Sequence, residues 1–342
     1  MTSPQPLALV TGATGFIAAR LVPVLVAEGW RVRATGRRPR PGHLDDSVDY
    51  RPADLAGDDP PELAALCADV THVFHLAGAS SSKSSQEEME RNNVDATRRL
   101  LDAATDAASF ERFVHMSSTS VYGEERQLPS PVKEDVEPSP SRGYGKAKWG
   151  AEQAVWDRAA KGAPVVVLRP VTVYGPGATK LLASAILDTA IERAAGLPRL
   201  ALSADPMEQR LVHVDDLVAA TLHLGMSGTA AGRAFNVVDG IYPSSHEVGR
   251  VLADCFGMEV EIGGEGLDEK RRRAVWVHLQ AQAMVPAILF TPDRLRLMGK
   301  TNRNNRLSTE ALASTGFRFR HTDFPAAVAA NVDWYRARHW LP

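Results

Sequence analysis

Between Leu7 and Glu28 the hydrophobic rhythm of the chain changes once, abruptly. Leu7 to Val10 is continuously apolar, as a strand buried on both faces requires, whereas from Phe16 to Glu28 the residues Leu21, Leu25 and Val26 recur on one side of a helix. The join reads Thr11-Gly12-Ala13-Thr14-Gly15-Phe16-Ile17-Ala18. A strand that turns on glycine directly into a helix aims the first free backbone N–H groups and the positive end of the helix dipole at one point, which suits a pyrophosphate. Gly12 permits the tight turn and Gly15 permits close approach of the backbone, with Thr14, Phe16 and Ile17 completing the expected contact set. Ala18 stands where a third glycine is usual, and its single methyl still allows helix and strand to pack.

The same alternation continues. Trp30 to Thr35, Val70 to Leu76, Phe113 to Ser117 and Val165 to Leu168 are strand candidates, with helical stretches at Pro61 to Ala68, Ser85 to Ala108 and Tyr144 to Ala160 between them. This pattern predicts an α/β fold, a Rossmann-type doubly wound parallel sheet covered by helices on both faces. After Pro170 it loosens into Gly175-Pro176-Gly177 and a helical stretch from Lys180 to Ala195. Leu211 to Val214 and Ala234 to Val238, flanking a helix at Asp216 to Leu224, read as a return to the main sheet. The expected division is therefore a dinucleotide-binding domain of residues 1–170 plus about 211–241. A smaller, interleaved substrate region takes about 171–210 plus 242–336. Gly263 to Arg273 reads as a solvated, mobile stretch.

Charge narrows the partners. Lys plus Arg (39) and Asp plus Glu (41) nearly cancel over the 342 residues, so no long-range positive field draws the chain to nucleic acid or an anionic membrane, and small molecules are the expected partners. Cys67 and Cys255 lie far apart without paired spacing, which suits reduced thiols and neither a disulfide nor a metal framework. Met1 to Pro6 is a polar lead with no apolar stretch, and Met284 to Phe290 is short and holds Pro286, so a cytoplasmic chain without stable membrane insertion is expected.

At the end of the second strand an acidic residue ordinarily binds the adenosine ribose of NAD, but here the stretch is Arg33-Ala34-Thr35-Gly36-Arg37-Arg38. Arg37 and Arg38 can hold a 2′-phosphate through forked, charge-assisted hydrogen bonds, which favours NADP(H) over NAD(H). Tyr144 and Lys148, four residues apart, share one helix face, and an ammonium beside a phenol favours proton exchange with a substrate oxygen. Ser118, at the end of a strand candidate, can bring a hydroxyl to the same oxygen.

These residues together resemble an extended short-chain dehydrogenase/reductase of the NAD(P)-dependent epimerase/dehydratase superfamily. The likeness runs through Thr11 to Ala18, Asp54-Leu55, His75-Leu76-Ala77-Gly78, Ser117 to Gly123, Tyr144 to Lys148, Leu168-Arg169-Pro170, Val173 to Gly177 and His213-Val214-Asp215-Asp216. It implies Asp54 and Leu55 beside the adenine, Leu76, Ala77 and Gly78 along the cofactor, Tyr144 and Lys148 also in contact with it, and Pro170 with Val171 near the nicotinamide. Ser117, Thr119 and Ser120 share the chemistry of Ser118; counting back from Tyr122 as the family does selects Ser118. The family's usual homodimer is likewise implied.

Departures from the family restrict the reaction. Dehydratases carry an Asp-Glu pair after the catalytic hydroxyl, and here Thr119-Ser120 replaces it, removing the acid and base for water elimination. Arg210 resembles the arginine that holds a nucleotide diphosphate, yet the family's asparagine for that group falls at Thr172. The strings Arg33 to Arg37 and Gly15 to Ala18 resemble dihydroflavonol and cinnamoyl-CoA reductases. The expected activity is NADP(H)-dependent reduction of a small-molecule carbonyl, or oxidation of the matching alcohol, through Ser118, Tyr144 and Lys148. A nucleotide-sugar 4-epimerase with tightly held NAD and a non-catalytic dinucleotide sensor are the alternatives. Substrate contacts are expected from Ser80, Thr119, Tyr174 and Arg210, in a crevice also bordered by the apolar stretch Trp276 to Phe290.

Overall fold

The apolar run that opens the chain becomes strand β1 (Leu7–Thr11), all five residues out of solvent. The structure, a computed structural model, describes residues 5–57, 60–79, 85–123, 126–141, 143–282 and 305–341. β1 lies inside a seven-stranded sheet with β2 (Arg31–Gly36), β3 (Asp49–Pro52), β4 (His72–His75), β5 (Arg112–Met116), β6 (Val165–Pro170) and β10 (Arg233–Val237), in the order β10-β6-β5-β4-β1-β2-β3. Every pairing is parallel. The order reverses between β1 and β4, so a crevice opens beyond their carboxyl ends, where such sheets bind ligands.

Helices α1 (Ala18–Ala27), α2 (Pro60–Cys67), α4 (Ala96–Thr105) and α5 (Gly143–Ala159) belong to the same unit. One face of the sheet packs Leu9, Val73, Phe113 and Val165 against Leu66, Leu100 and Val155. Arg33, only 5% exposed, is tied down by Asp49 at 2.9 Å and by the carbonyls of Leu66 and Ala68, each at 2.8 Å, at the C-terminal end of α2. A second charged pair is deeper still. Arg169 on β6 grips the Glu152 carboxylate of α5 through Nη2 at 2.7 Å and Nε at 3.1 Å, both side chains being almost wholly excluded from water.

Two units are distinguished within the chain, Met1–Val171 with Leu217–Val237 and Leu307–Arg318, and Thr172–Asp216 with Val238–Arg306 and Phe319–Pro342. The second contains β7 (Thr172–Tyr174) paired with β9 (Leu211–His213), and β8 (Arg199–Leu202) paired with β11 (Glu259–Ile262). Helices α6 (Leu182–Ala194), α8 (Ser245–Phe256), α9 (Glu269–Gln282) and α11 (Phe324–Ala337) also belong to it. The expectation that Leu211 to Val214 rejoins the main sheet is therefore corrected: three apolar residues suffice to bury a strand but not to choose its partner, and they pair with Thr172–Tyr174. The boundary expected near 211 falls at Leu217, and 307–318 groups with the first unit.

Gly263 to Arg273 is exposed or half-exposed as expected, with one exception. Helix α9 starts at Glu269, and Arg272 is fully buried, its Nε 3.0 Å from Asp188 on α6. Of the apolar stretch Trp276 to Phe290, Trp276 and Leu279 are buried on α9, while 283–290 lie outside the described residues. Among the described residues no helix is long and apolar enough to cross a membrane.

Replacing Arg169 by Met should strand the Glu152 carboxylate without a cation in the interior. We expect a loss of about 3–5 kcal/mol in urea unfolding, against a few tenths for an exposed arginine such as Arg31.

Candidate active site

Gly12 adopts φ +68°, and a methyl there would lie 2.9 Å from the backbone nitrogen of Ala77. The turn after β1 thus presses against the chain leaving β4 at a distance only glycine permits. Thr11 completes the join, its hydroxyl oxygen accepting the N–H groups of Leu76 and Ala77, each at 3.1 Å. Along this seam runs a cavity of about 210 Å³ bordered by Gly12, Thr14, Gly15, Arg37, Asp54, Leu55, Leu76, Ala77 and Gly78. Nine predicted cofactor positions therefore meet there. Thr35, Gly36, Asn92 and Ala96 border it as well.

The chemistry of this cavity fits a dinucleotide. Backbone N–H groups and small residues line the phosphate end, and the buried Thr35 hydroxyl has no partner within the protein. Arg37 is exposed at the rim with Nη1 3.2 Å from Asn92 Oδ1. Asp54 faces the cavity while capping its own turn through the N–H of Ala56, at 3.2 Å. Phe16 and Ile17 are half-buried at the entry to α1, outside the cavity lining. Arg38 also lies outside it, its carbonyl accepting the Tyr50 hydroxyl.

Ser118, Tyr144 and Lys148 converge beyond β5 and at the start of α5. Ser118 caps a short 3-10 turn (Thr119–Tyr122), its oxygen accepting the N–H of Ser120 at 3.2 Å. A methyl at Gly145 would lie 2.8 Å from the carbonyl of Ser120, so glycine at that position lets α5 approach this turn. Tyr144 consequently comes near Ser118; burial raises the phenol pKa, and the Ser118 hydroxyl opposes that rise. Lys148 places its ammonium 6.0 Å from the Tyr144 ring centre and donates to the carbonyl of Met116 at 2.8 Å. Burial lowers its pKa from 10.5 to about 8, with the Glu152 carboxylate acting in the other direction. Thr119 donates to the carbonyl of Pro170 at 3.4 Å, and Pro170 and Val171 are both buried.

The other expected substrate contacts fare differently. Tyr174 is fully buried, edge-on to His213 and Phe324, which corrects its reading as a surface for substrate. Arg210 is half-buried in the second unit, its carbonyl accepting the N–H of Thr172 at 3.2 Å. Ser80 lies outside the described residues.

Asn93 was not expected. The helix predicted over Ser85 to Ala108 is interrupted by a π-turn at Arg91–Asp95, between α3 (Gln86–Glu90) and α4. Asn93 is 2% exposed, and its Oδ1 has no partner. A methyl on Gly78 would lie 2.6 Å from that oxygen and 3.2 Å from the Lys148 ammonium nitrogen, so both groups border the same small space. The signal was present in the sequence, since two adjacent asparagines in mid-helix are poor helix formers that compete for the backbone.

A parallel sheet that reverses its order at a glycine turn, with a dinucleotide-shaped seam beside it, defines a doubly wound nucleotide-binding fold. The chain belongs to the NAD dependent epimerase/dehydratase family, whose profile matches residues 8–237, and it is an NAD(P)-dependent oxidoreductase of the extended short-chain dehydrogenase type. It is 31% identical to the ceramide reductase of Caulobacter vibrioides across 100% of this chain and 98% of the relative. It is 27% identical to the 4-hydroxy-2-methyl-3-oxo-4-farnesyl-3,4-dihydroquinoline-1-oxide ketoreductase of Stigmatella aurantiaca over 82% of this chain and 83% of that protein. Among solved structures, MoeE5 in complex with UDP-glucuronic acid and NAD is similar, with a TM-score of 0.73 and 27% identity over 97% of this chain and 99% of that one.

Gly12→Ala drives a side chain into the Ala77 backbone at a positive φ. Dinucleotide affinity measured by titration calorimetry should fall by about tenfold or more, equivalent to about 1.4 kcal/mol.

Proposed function

We propose that the protein is an NADP(H)-dependent carbonyl reductase, acting on a small-molecule ketone or aldehyde and running in reverse on the alcohol. The observation that carries this reading is the convergence of the Ser118 hydroxyl and the Lys148 ammonium on Tyr144, the ammonium 6.0 Å from the ring centre. Bound dinucleotide supplies the hydride that forms the new C–H bond and is itself oxidised. Tyr144 gives its hydroxyl proton to the carbonyl oxygen as that bond forms, and Ser118 orients the same oxygen. Lys148, charged below about pH 8, stabilises the phenolate left on Tyr144 and supplies the proton that restores it.

The sign of the pH dependence follows. Above about 8 the ammonium is lost, so reduction should slow as pH rises through that value while alcohol oxidation gains. Net reduction is favoured over epimerisation by Thr172, which stands where the family's diphosphate-binding asparagine falls, and by the two relatives named as reductases. NADP(H) is favoured by Arg37, exposed at the cavity rim where the second strand ends, with no carboxylate on that strand end.

Purified protein should oxidise NADPH with members of a ketone and aldehyde panel, and Tyr144→Phe should retain NADPH binding while kcat falls at least about 100-fold. Interconversion of nucleotide sugars with no net cofactor change, or near-normal turnover by Tyr144→Phe, overturns the reading. Arg37→Ala should weaken NADPH binding about tenfold in fluorescence titration and leave NADH binding unchanged.

A further inference from the structure

His75 is fully buried at the end of β4 and takes no part in the proton transfer just described, yet both of its ring nitrogens are engaged. Nδ1 lies 2.8 Å from the Thr11 hydroxyl and Nε2 lies 2.9 Å from the Thr97 hydroxyl on α4. Thr97 in turn donates to the carbonyl of Asn93, at 2.5 Å, within the π-turn. The neighbouring His115 ring, stacked on His75 at 5.5 Å and equally buried, has no hydrogen-bond partner on either nitrogen.

The direction of each bond can be worked out. The Thr11 oxygen accepts the N–H groups of Leu76 and Ala77, which occupies both lone pairs, so its own proton must go to His75 Nδ1. The ring proton then sits on Nε2 and is donated to Thr97, whose proton is committed to the Asn93 carbonyl. A second ring proton would break the first link. Burial and the Lys148 charge agree with a neutral ring, holding the His75 pKa down at about 3.

We propose that His75 is a positioning residue whose neutral Nε2–H tautomer links the dinucleotide turn at Thr11 to the π-turn at Asn93, thereby holding the space beside Lys148 closed to water. The inference rests on the reading of Lys148 as part of the proton-transfer site. It ties the cofactor seam by one hydrogen-bonded chain, through Thr11, His75 and Thr97, to the Asn93 π-turn that borders the space beside Lys148. Glu152, on α5 itself, is the titratable group acting on Lys148, whose charge in turn lowers the pKa of His75 on β4 and His115 on β5, while the Tyr144 ring faces the ammonium at 6.0 Å.

Thr97→Val cuts the chain at its far link while preserving shape. NADP+ binding by calorimetry should stay within about twofold. The Lys148 titration, followed by NMR of 13Cε-labelled lysine, should move up toward the ordinary lysine range as water enters, and kcat with NADPH should fall about 10- to 100-fold. Thr97→Ser should restore both, and His115→Leu should change neither. His75→Gln can keep an amide N–H for Thr97 but places no acceptor where Nδ1 meets Thr11, so it should weaken NADP+ binding and leave the Lys148 titration in place. An unmoved Lys148 titration in Thr97→Val, or an equal shift in His115→Leu, overturns the proposal. The NMR readout needs no turnover, so it decides this point even if Tyr144→Phe shows the reductase reading to be wrong.

Discussion

The Glu152 carboxylate is the charge around which the rest of the site is arranged. It sits with no exposure to water in the middle of α5, where an isolated anion would be strongly disfavoured, and Arg169 and the Ser117 hydroxyl satisfy it. Those partners lie on β6 and immediately after β5, so the pair fixes where α5 lies along the sheet. Lys148 is one helical turn before Glu152 and Tyr144 one turn before that, and Ser118 follows Ser117 directly. Arg169 extends the constraint, donating to the Tyr122 hydroxyl at 2.9 Å, which donates to Asn236 of β10 at 2.7 Å. A well-packed hydrophobic replacement of such a pair can match its stability, as buried ion pairs repay little of their desolvation. What it would lose is placement, together with the negative charge that offsets the desolvation of Lys148.

That same balance explains why two histidines can lie beside a buried lysine. His75 and His115 are both held neutral, by burial first and by the Lys148 charge second, so the interior carries one cation there and not three. Only one of the two rings is hydrogen-bonded. Besides the His115 ring, polar atoms on Thr35 and Asn93 are left without partners, and Thr35 borders the cofactor cavity while the Asn93 oxygen faces Gly78, whereas the His75 ring beneath them is paired on both nitrogens.

How much of this could be read from the sequence depended on the range of the interaction. The glycine turn and the i, i+4 pair of Tyr144 and Lys148 are local, and the turn, the strands around it and the helix carrying that pair were legible. β3 was not, because Asp49–Pro52 is a polar, largely exposed edge strand with no apolar alternation to reveal it. The partner of Leu211–His213 is decided by tertiary pairing, and Arg272 becomes a core residue only because Asp188 waits for it on another helix. Tyr174 misled because an aromatic residue in a glycine-rich stretch reads as a binding residue, whereas its ring is enclosed by His213 and Phe324. The π-turn needed attention to two asparagines whose propensity conflicts with the surrounding helix.

The basic string after the second strand shows why a short motif must be divided before it is used. Arg33 looks interchangeable with its neighbours, yet it is buried on β2 and committed to Asp49 and to carbonyls at the C-terminal end of α2. Arg40 is likewise committed, bridging the carbonyls of Val48 and Asp45 to close the following loop. Arg37 alone among these three combines exposure with a place on the cavity rim, so it is the one of them free of commitments within the sheet and its loops. Its contact to Asn92 joins the end of the second strand to the residue adjoining Asn93, so the rim of the cavity is tied to the π-turn.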